Sequence, residues 1–314
     1  MTALDSRRVR VTALAGGVGG AKLLVGLQRV LPPGSLTAIV NTGDDATIYG
    51  IHVSPDVDIV TYWLAGIADT ERGWGIAGDT FAMLEARARL GGDAWFRLGD
   101  RDLATCLYRT ERLRAGETLS SVTDRIRRAL GVSTPIVPMS DDAVRTLVEC
   151  ADGRVLGFQD YFVKEATEPE VVAVAFDGAA RAAPAPDALD AIARAGRIVL
   201  CPSNPVLSIG PILELPGIRD ALRAHPDVVA VTPIVAGRAL KGPADRLLRA
   251  LHGDSSAAAV ARLYADFCDT FVVDVEDSAQ ERAVTAAGPR AAALNTIMGD
   301  RDASARLAAQ LVAL

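Results

Sequence analysis

For a chain of 314 residues, the sequence contains few lysine, histidine, cysteine and aromatic residues. Only three of its 33 basic residues are lysine, histidine occurs three times, and aromatic residues make up 5% of the chain. The core must therefore be built from Ala, Val, Leu and Ile. The excess of arginine and alanine is typical of a GC-rich genome and carries no chemical meaning by itself. Because lysine is so rare, Lys22, Lys164 and Lys241 each call for a local explanation.

The four cysteines lie far apart and form no CxxC pair, which argues against a zinc knuckle or a thioredoxin-type site. The three histidines are equally scattered. No apolar run approaches the roughly 18 residues of a membrane-spanning helix, and the charged N-terminus does not have the pattern of a secretory signal. We therefore expect a cytoplasmic protein with reduced thiols and no membrane association.

The charge balance is slightly acidic, with 39 Asp and Glu residues against 33 Lys and Arg residues. A non-specific nucleic-acid binder needs a large basic footprint, so we do not expect nucleic acid as a partner. The length accommodates one large or two modest domains and can bury a substantial core.

Short apolar runs alternate with helical patterns at the start of the chain, and the same rhythm returns after about residue 170. The middle of the chain instead reads as a mixture of helices and a hairpin. We predict an α/β fold with a Rossmann-like, mostly parallel sheet and an inserted helical and β-hairpin subdomain. The predicted core comprises residues 1–60 and 170–314, and the predicted insertion comprises residues 61–169.

The individual elements follow from the same patterns. The predicted strands are 9–15, 36–40, 143–150, 154–163, 197–201, 228–231 and 270–274. The predicted helices are 21–30, 80–90, 102–109, 119–130, 187–195, 218–224 and 255–269. Ser120 or Ser121 is predicted to cap the helix over 119–130.

A glycine-rich run, Gly16–Gly20, lies between the first strand and the first helix and is followed closely by Lys22. Glycines let backbone N–H groups approach an anion, and the helix N-terminus adds the positive end of its dipole. The run is not a P-loop, because Ala21 and Leu23 replace the flanking residues of that motif. It also lacks the third glycine of the dinucleotide fingerprint. It predicts a phosphate cradle, with a tight turn that binds no ligand as the alternative.

Acidic residues follow the second strand, where an open α/β sheet places its ligands. Asp44 and Asp45 beside a phosphate cradle predict a Mg²⁺ site, although Gly-Asp-Asp alone is also common in solvated turns. Asp58 is a further candidate ligand. Asp56 is predicted merely to cap the helix in which it lies, and His52 to make a local hydrogen bond rather than to bind a metal.

Three further segments could complete a site. Trp74, Trp95 and Phe96 either line a pocket for a planar ring or form a small aromatic core, and the sequence favours neither. The proline-flanked pair Ser203-Asn204 follows another strand and is suited to recognising a base or a phosphate. The loop around Lys241 is predicted to form another wall of the same site.

These motifs, taken together and in this order, resemble the 2-phospholactate transferase family of coenzyme F420 biosynthesis, and the actinobacterial phosphoenolpyruvate branch looks closest. The resemblance rests on segments 16–24, 41–45, 54–58, 73–81, 98–105, 138–142, 158–160, 202–213 and 241–244. It implies a Rossmann-like core with an inserted subdomain, a homodimer and a magnesium-dependent transfer. The implied acceptor is the deazaflavin alcohol Fo, and the implied donor is an enolpyruvyl or lactyl group joined to guanosine through a diphosphate. GMP is the implied leaving group.

The resemblance also implies roles for individual residues. Asp58 and Arg97 would contact Fo, and Arg97 stands where archaeal relatives carry lysine. From the residues themselves we predict Asp45 as a Mg²⁺ ligand, with Asp44 and Asp58 as further candidates, and Asp58 and Asp45 as catalytic residues. The same reasoning predicts the residues that hold the nucleotide and its phosphates, namely Gly16, Gly17, Gly19, Gly20, Lys22, Ser203 and Asn204.

Several alternatives stay open at the level of sequence. No residue signature separates an enolpyruvyl donor from the 2-phospho-L-lactyl donor. A nucleotide-sugar-binding regulator of the same fold shares a glycine-rich loop and an Asp-Asp pair. An NAD-dependent oxidoreductase would need an acidic residue about twenty positions beyond the glycine loop, and Asp44 and Asp45 are near that distance.

Overall fold

A parallel sheet of seven strands forms the centre of the protein in the computed structural model, which describes residues 10–314. The strands in chain order are β1 (Val11–Ala15), β2 (Leu36–Val40), β3 (Ala46–Ile48), β4 (Ile51–Val53), β5 (Ile136–Pro138), β6 (Arg145–Cys150), β7 (Val155–Gly157), β8 (Val171–Asp177), β9 (Arg197–Leu200), β10 (Val228–Val231), β11 (Ile234–Val235), β12 (Arg238–Ala239), β13 (Thr270–Asp274) and β14 (Arg290–Leu294). The central sheet has the order β14-β13-β10-β9-β1-β2-β5, and each adjacent pair is parallel.

The helices in chain order are α1 (Gly17–Val30), α2 (Pro55–Ala65), α3 (Ala82–Arg89), α4 (Asp100–Arg114), α5 (Leu119–Ala129), α6 (Pro186–Arg194), α7 (Gly210–Leu213), α8 (Ile218–Ala224), α9 (Ala244–His252), α10 (Ala257–Tyr264), α11 (Glu281–Ala287) and α12 (Arg301–Ala313). Asp160–Lys164 and Pro205–Ile209 are π-helical, and Val275–Gln280 is a 3-10 helix. No helix in residues 10–314 combines the length and the apolar character needed to cross a membrane.

The strands of the sheet are apolar because both faces are covered. Alternate residues of β1 enter different hydrophobic clusters, with Leu14 in one cluster and Ala13 and Ala15 in the other. Such continuous apolar strands are the pattern of a parallel sheet buried on both sides. The predicted α/β fold class is confirmed.

The insertion differs from its predicted boundaries. Strand β5 belongs to the central sheet, where it pairs with β2, although it lies inside the predicted insertion of residues 61–169. Strand β8, inside the predicted core, instead pairs with β6 in a separate antiparallel sheet of β7, β6 and β8. Strand β5 has only three residues and ends in a proline, so it gives no periodic signal that would mark it as part of the core.

Three local predictions were wrong. Helix α1 begins at Gly17, inside the glycine run, rather than at residue 21. The cap of α5 is Thr118, whose hydroxyl accepts a hydrogen bond from the N–H of Ser121. The strand predicted over 154–163 ends at Gly157, and a π-helix follows it.

Candidate active site

A cavity of about 850 Å³ lies at the carboxyl ends of the parallel strands. Its walls include residues within four positions of the ends of β1, β2, β9, β10 and β14, namely Gly16, Asp44, Pro202, Thr232 and Thr296. This is the edge at which open α/β sheets bind their ligands, because loops from neighbouring strands converge there.

The structure brings most of the predicted site residues to this one cavity. Those that line it are Gly16, Gly17, Gly19, Lys22, Asp44, Asp58, Arg97, Ser203 and Asn204. Gly20 and Asp45 do not line it. Gly20 lies behind the loop, where a Cβ atom would come within 2.6 Å of the Ser203 hydroxyl.

The glycine run is held in place by hydrogen bonds from two other segments. The N–H of Gly16 donates to Ser203 Oγ at 3.0 Å, and the same hydroxyl donates to the carbonyl of Gly16 at 2.8 Å. The N–H of Gly17 donates to Asp56 Oδ1 at 2.7 Å. Gly17 has a φ of +62°, which favours glycine, and a Cβ at Gly19 would collide with the carbonyl of Pro202. The run therefore requires glycine for both conformation and packing.

Asp56 does not cap its own helix, so that prediction was wrong. Its carboxylate accepts hydrogen bonds from the first residue of α1, Gly17, and from Asn41 Nδ2 at 3.0 Å. Burial raises the pKa of Asp56 to about 6, although both hydrogen bonds act in the opposite direction. Asp56 thus joins the start of α1 to the end of β2.

Ser203 and Asn204 shape the loop after β9. Ser203 is buried and its hydroxyl is bonded to Gly16 in both directions. Asn204 Oδ1 accepts from the N–H groups of Val206 and Leu207, at 3.0 and 3.1 Å, and so caps the π-helix that follows. π-helical turns often occur at functional sites. The oxygen atoms of both side chains are thus already engaged within the protein.

Asp44 presents a buried carboxylate to the cavity. Its Oδ1 atom has no hydrogen-bond partner among the described residues. Burial, together with the negative charge of Asp56, raises the pKa of Asp44. Gln159 holds this segment by donating to the main-chain carbonyl of Asp44 at 3.2 Å. An unpartnered carboxylate oxygen in this position suits a hard divalent cation.

Asp45 is bonded to the protein on both oxygen atoms. Oδ2 lies 2.9 Å from His52 Nε2, and Oδ1 accepts from Ser54 Oγ at 2.7 Å. The predicted local role of His52 is confirmed. Burial raises the pKa of Asp45, while His52 and Ser54 oppose that shift. Asp45 therefore supports the segment that leads into α2 instead of facing the cavity.

Asp58 forms a buried ion pair with Arg109, a residue that our sequence analysis missed. Arg109 NH1 donates to Asp58 Oδ2 at 3.0 Å, NH2 donates to Oδ1, and the arginine side chain is fully buried. Burial disfavours the charged guanidinium, but the adjacent Asp58 raises the pKa of Arg109 above its usual range. The charge of Asp58 is therefore balanced inside the protein.

Asp102 is a second carboxyl group beside Asp58 on the cavity wall. It accepts a hydrogen bond from the hydroxyl of Tyr62 at 2.8 Å. Burial and the nearby Asp58 raise the pKa of Asp102 to about 7. Oxygen atoms of the two carboxyl groups and Cys106 Sγ lie within 4.8 Å of one another.

Helical spacing is the signal that could have revealed this group. Asp102, Cys106 and Arg109 follow one another at intervals of four and three residues on α4, and Asp58 and Tyr62 are four apart on α2. Residues at these intervals share one face of a helix. The spacing therefore shows which polar residues of each helix lie together, whereas the contact between the two groups is shown by the structure.

Aromatic residues cover another part of the cavity wall. Phe158 and Phe162 are stacked with ring centroids 5.2 Å apart, and Trp95 meets Phe96 edge to face at 5.6 Å. Trp95 and Phe96 also pack against a small hydrophobic cluster that contains Leu98. Trp95 and Phe96 thus belong to a small core and also line the cavity, whereas Trp74 lines the cavity without joining that cluster.

Arg97 and the lysine residues supply positive charge around the cavity. The exposed guanidinium of Arg97 lies over the ring of Phe81, 4.7 Å from its centroid. Lys22 and Lys241 line the cavity near the glycine run. Lys164 does not line it, and its ammonium lies 6.0 Å from the ring centroid of Trp95.

Comparison with known proteins agrees with this arrangement. The chain matches the family described as 2-phospho-L-lactate transferase CofD over residues 11–312. It is 43% identical to a protein of Streptomyces griseus named phosphoenolpyruvate transferase, over 312 residues that cover 98% of each chain. It is 40% identical to a protein of Methanosarcina mazei named 2-phospho-L-lactate transferase, over 94% of this chain and 96% of that protein.

A solved structure from Bacillus halodurans, a member of the UPF0052 family, superimposes with a TM-score of 0.64. The alignment covers 96% of this chain and 98% of that one at 17% identity, so the likeness shows the fold alone. The family match, in contrast, includes every segment that lines the cavity. It confirms the transferase interpretation over the oxidoreductase and the regulator. The chain belongs to the 2-phospho-L-lactate transferase family CofD.

Proposed function

We propose that the protein transfers a phosphoenolpyruvyl group from enolpyruvyl-diphospho-guanosine to the deazaflavin Fo, in the biosynthesis of coenzyme F420. The primary hydroxyl of the ribityl chain of Fo attacks the phosphorus that carries the three-carbon acid. A new P–O bond forms, the bond from that phosphorus to the bridging oxygen breaks, and GMP leaves. The hydroxyl proton is lost, and the product is the phosphodiester dehydro-F420-0.

One observation carries the proposal. A single cavity is lined by the glycine-rich start of α1, by the carboxylates of Asp44 and Asp58, and by an aromatic wall of Trp95, Phe158 and Phe162. The helix start suits phosphates, because the first N–H groups of a helix have no intrahelical partners and the helix dipole favours an anion. The N–H of Gly17 is bonded to Asp56, so Val18 and Gly19 are the first-turn residues on the cavity wall that we assign to the phosphates. Aromatic faces suit a planar heterocycle. A transferase that joins a nucleotide donor to a deazaflavin needs both kinds of surface within reach of each other.

The donor half of the site comprises Gly16, Gly17, Gly19, Gly20 and Lys22 together with the loop Ser203-Asn204. Gly16, Gly17, Gly19 and Lys22 line the cavity, and Gly20 packs against Ser203. Since the side-chain oxygens of Ser203 and Asn204 are engaged, we assign to this loop the main task of holding the glycine run in shape.

The acceptor half of the site comprises Asp58, Arg97 and the aromatic wall. Phe158, Phe162 and Trp95 offer faces to the deazaflavin ring. Asp58 accepts a hydrogen bond from the attacking hydroxyl and orients it toward the phosphorus. Arg109 pairs with both oxygens of Asp58, so the carboxylate is held in one orientation.

Mg²⁺ fits this site through Asp44, whose Oδ1 atom is buried and unpartnered in the described part of the chain. Asp45 and Asp58, the other two ligands expected from the sequence, already have internal partners for both oxygens. We therefore propose Asp44 as the protein's principal ligand, and a positioning role for Asp45. A bound Mg²⁺ supplies positive charge that offsets the phosphate oxygens against an incoming nucleophile.

The enolpyruvyl donor is favoured over the 2-phospho-L-lactyl donor by the relatives. Three Streptomyces proteins named phosphoenolpyruvate transferase are 42% to 44% identical to this chain and match 98% of it. The Methanosarcina mazei protein named 2-phospho-L-lactate transferase is 40% identical and matches 94% of the chain. The lactyl donor, which would give F420-0, is the second candidate. Family resemblance further supports a homodimer in the cytoplasm, with no nucleic-acid or membrane partner.

The experiment that tests the acceptor site is the variant Asp58→Asn, assayed with Mg²⁺, the enolpyruvyl donor and saturating Fo. We expect turnover to fall by about 100-fold or more, as when a group that orients or activates a nucleophile is lost. Asp93→Asn, at an exposed carboxylate outside the cavity, is the matched control and should retain normal turnover. Near-normal turnover of Asp58→Asn would show that the assigned role is wrong.

A further inference from the structure

Two of the three lysines in the chain lie near the start of α1 although they come from distant segments. Lys22 lies in the second turn of α1, and Lys241 lies between β12 and α9. Gly73 shows how close the second lysine comes to the helix. A Cβ atom at Gly73 would collide with Lys241 Nζ and would lie 3.1 Å from a methyl group of Val18, in the first turn of α1.

Neither ammonium group has a carboxylate partner in residues 10–314. Lys22 Nζ donates to the carbonyl of Met298 at 3.0 Å and lies 5.9 Å from the ring centroid of Trp63. Lys241 Nζ donates to the carbonyl of Arg72. The salt bridges of the described chain are instead formed by arginines and His52. The two lysines are thus held by neutral groups, with their charge unmatched.

Two unmatched cations close together are unfavourable without an anion. Partial burial lowers the pKa of Lys241, and the positive charge of Lys22 lowers it further, while Asp69 opposes both effects. The start of α1 adds a third source of positive potential on the same wall of the cavity. A diphosphate offers one charged phosphate to each ammonium group.

We propose that Lys22 and Lys241 form a clamp for the diphosphate of the nucleotide donor, acting with the N-terminal turn of α1. This inference rests on the proposed function for the identity of the nucleotide, but not for the recognition of a diphosphate. Lys241 thereby becomes a donor-binding residue in addition to Lys22. Trp63 stabilises the clamp, because its ring lies beneath Lys22 and its indole N–H donates to the carbonyl of Gly73 at 3.2 Å.

The test is calorimetric titration of the full-length protein with GDP, GMP and inorganic pyrophosphate. We compare the wild type with Lys22→Gln, Lys241→Gln and the matched control Lys164→Gln, which removes the same charge from a lysine outside the cavity. Each clamp variant should lose GDP affinity by about tenfold or more, as expected for charge-assisted hydrogen bonds. GMP affinity should fall less, and the control should bind all three ligands as the wild type does. Thermal unfolding checks that each variant is folded.

The outcomes separate the clamp from the proposed function. Pyrophosphate binding that is lost in Lys241→Gln supports the clamp even if the protein transfers nothing to Fo. Wild-type GDP affinity in Lys241→Gln would overturn the clamp while leaving the transferase function intact. An equal loss of GDP and GMP affinity would also overturn it, because the clamp is specific for two phosphates. A wild-type protein that binds neither GDP nor pyrophosphate would overturn the clamp as well.

Discussion

At the scale of single residues, the ion pair between Asp58 and Arg109 is the most buried of the salt bridges in residues 10–314. Taking both charges out of water costs free energy, which the paired geometry offsets only while both partners are present. The pair orients a carboxylate on the cavity wall, so the proposed role of Asp58 depends on the same contact that balances its charge. A change at either residue must therefore be tested for stability as well as for turnover.

We expect Arg109→Gln to lower the free energy of unfolding by about 3–5 kcal/mol, because Asp58 would be left buried without a counter-charge. Urea denaturation measures this loss. Arg194→Gln is the matched control, since Arg194 pairs with Asp190 at the surface and its loss should cost about 1 kcal/mol or less. The double variant Asp58→Asn/Arg109→Gln should regain part of the stability. A single variant within 1 kcal/mol of the wild type would contradict the account.

The raised pKa of Asp102 predicts that the free energy of unfolding depends on pH. Its pKa is about 7 in the folded protein and about 3.9 in an unfolded chain, so between these values the folded state binds more protons than the unfolded state. Its contribution to stability is therefore fully present below about pH 4 and is lost as the pH rises through about 7. The slope is at most about 1.4 kcal/mol per pH unit.

Asp102→Asn should remove this slope, because the amide does not titrate and its oxygen can still accept the hydrogen bond from Tyr62. The measurement is the free energy of unfolding of both proteins from pH 5 to pH 8. The wild type should lose stability relative to the variant as the pH rises. Asp190→Asn, at an exposed carboxylate, serves as the control, and parallel curves for the wild type and Asp102→Asn would contradict the assigned pKa.

At the scale of elements, the start of α1 is wedged between the loop after β9 and the first turn of α2. Ser203 holds Gly16 from one side, and Asp56 holds Gly17 from the other. Gly19 lies against the carbonyl of Pro202. The helix is thus positioned by close contacts at its glycines, and its first turn lines the cavity.

Gly19→Ala separates packing from helix propensity. Alanine favours a helix by about 1 kcal/mol over glycine, but its methyl group would collide with backbone that cannot easily move. We expect packing to prevail, so that the helix start shifts and GDP affinity falls by about tenfold. Gly157→Ala is the control, because a Cβ there would meet its nearest neighbour at an ordinary 3.5 Å. Unchanged GDP affinity in Gly19→Ala would refute the wedge.

The elements also show what sequence patterns can and cannot predict. Strand β2 and helix α8 have their predicted bounds, because apolar runs and turn residues mark them clearly. Strand β5 was missed because three residues carry no periodicity. The role of Asp56 was assigned to its own helix, since a local capping rule cannot reveal a contact with α1 across the fold.

At the scale of the whole molecule, the sheet order explains why distant motifs share one site. Strand β1 lies between β2 and β9, so the glycine run, the Asp44 segment and the Ser203 loop leave the sheet side by side. The positions of these motifs after strands were visible in the sequence, and nine of the predicted site residues line the cavity. Helical spacing groups Asp102 with Arg109 on α4, but it does not show that these residues contact Tyr62 and Asp58 of α2, because that depends on the fold.

The most direct test of the central claim is the mass of the deazaflavin product formed from Fo, Mg²⁺ and enolpyruvyl-diphospho-guanosine by the purified protein. We predict a product heavier than Fo by the phosphoenolpyruvyl group, with one GMP released for each product molecule. A parallel reaction with the lactyl donor would give a product about two daltons heavier, and it should be slower. Unchanged Fo with both donors would contradict the proposed transfer, and product from the lactyl donor alone would contradict the enolpyruvyl assignment.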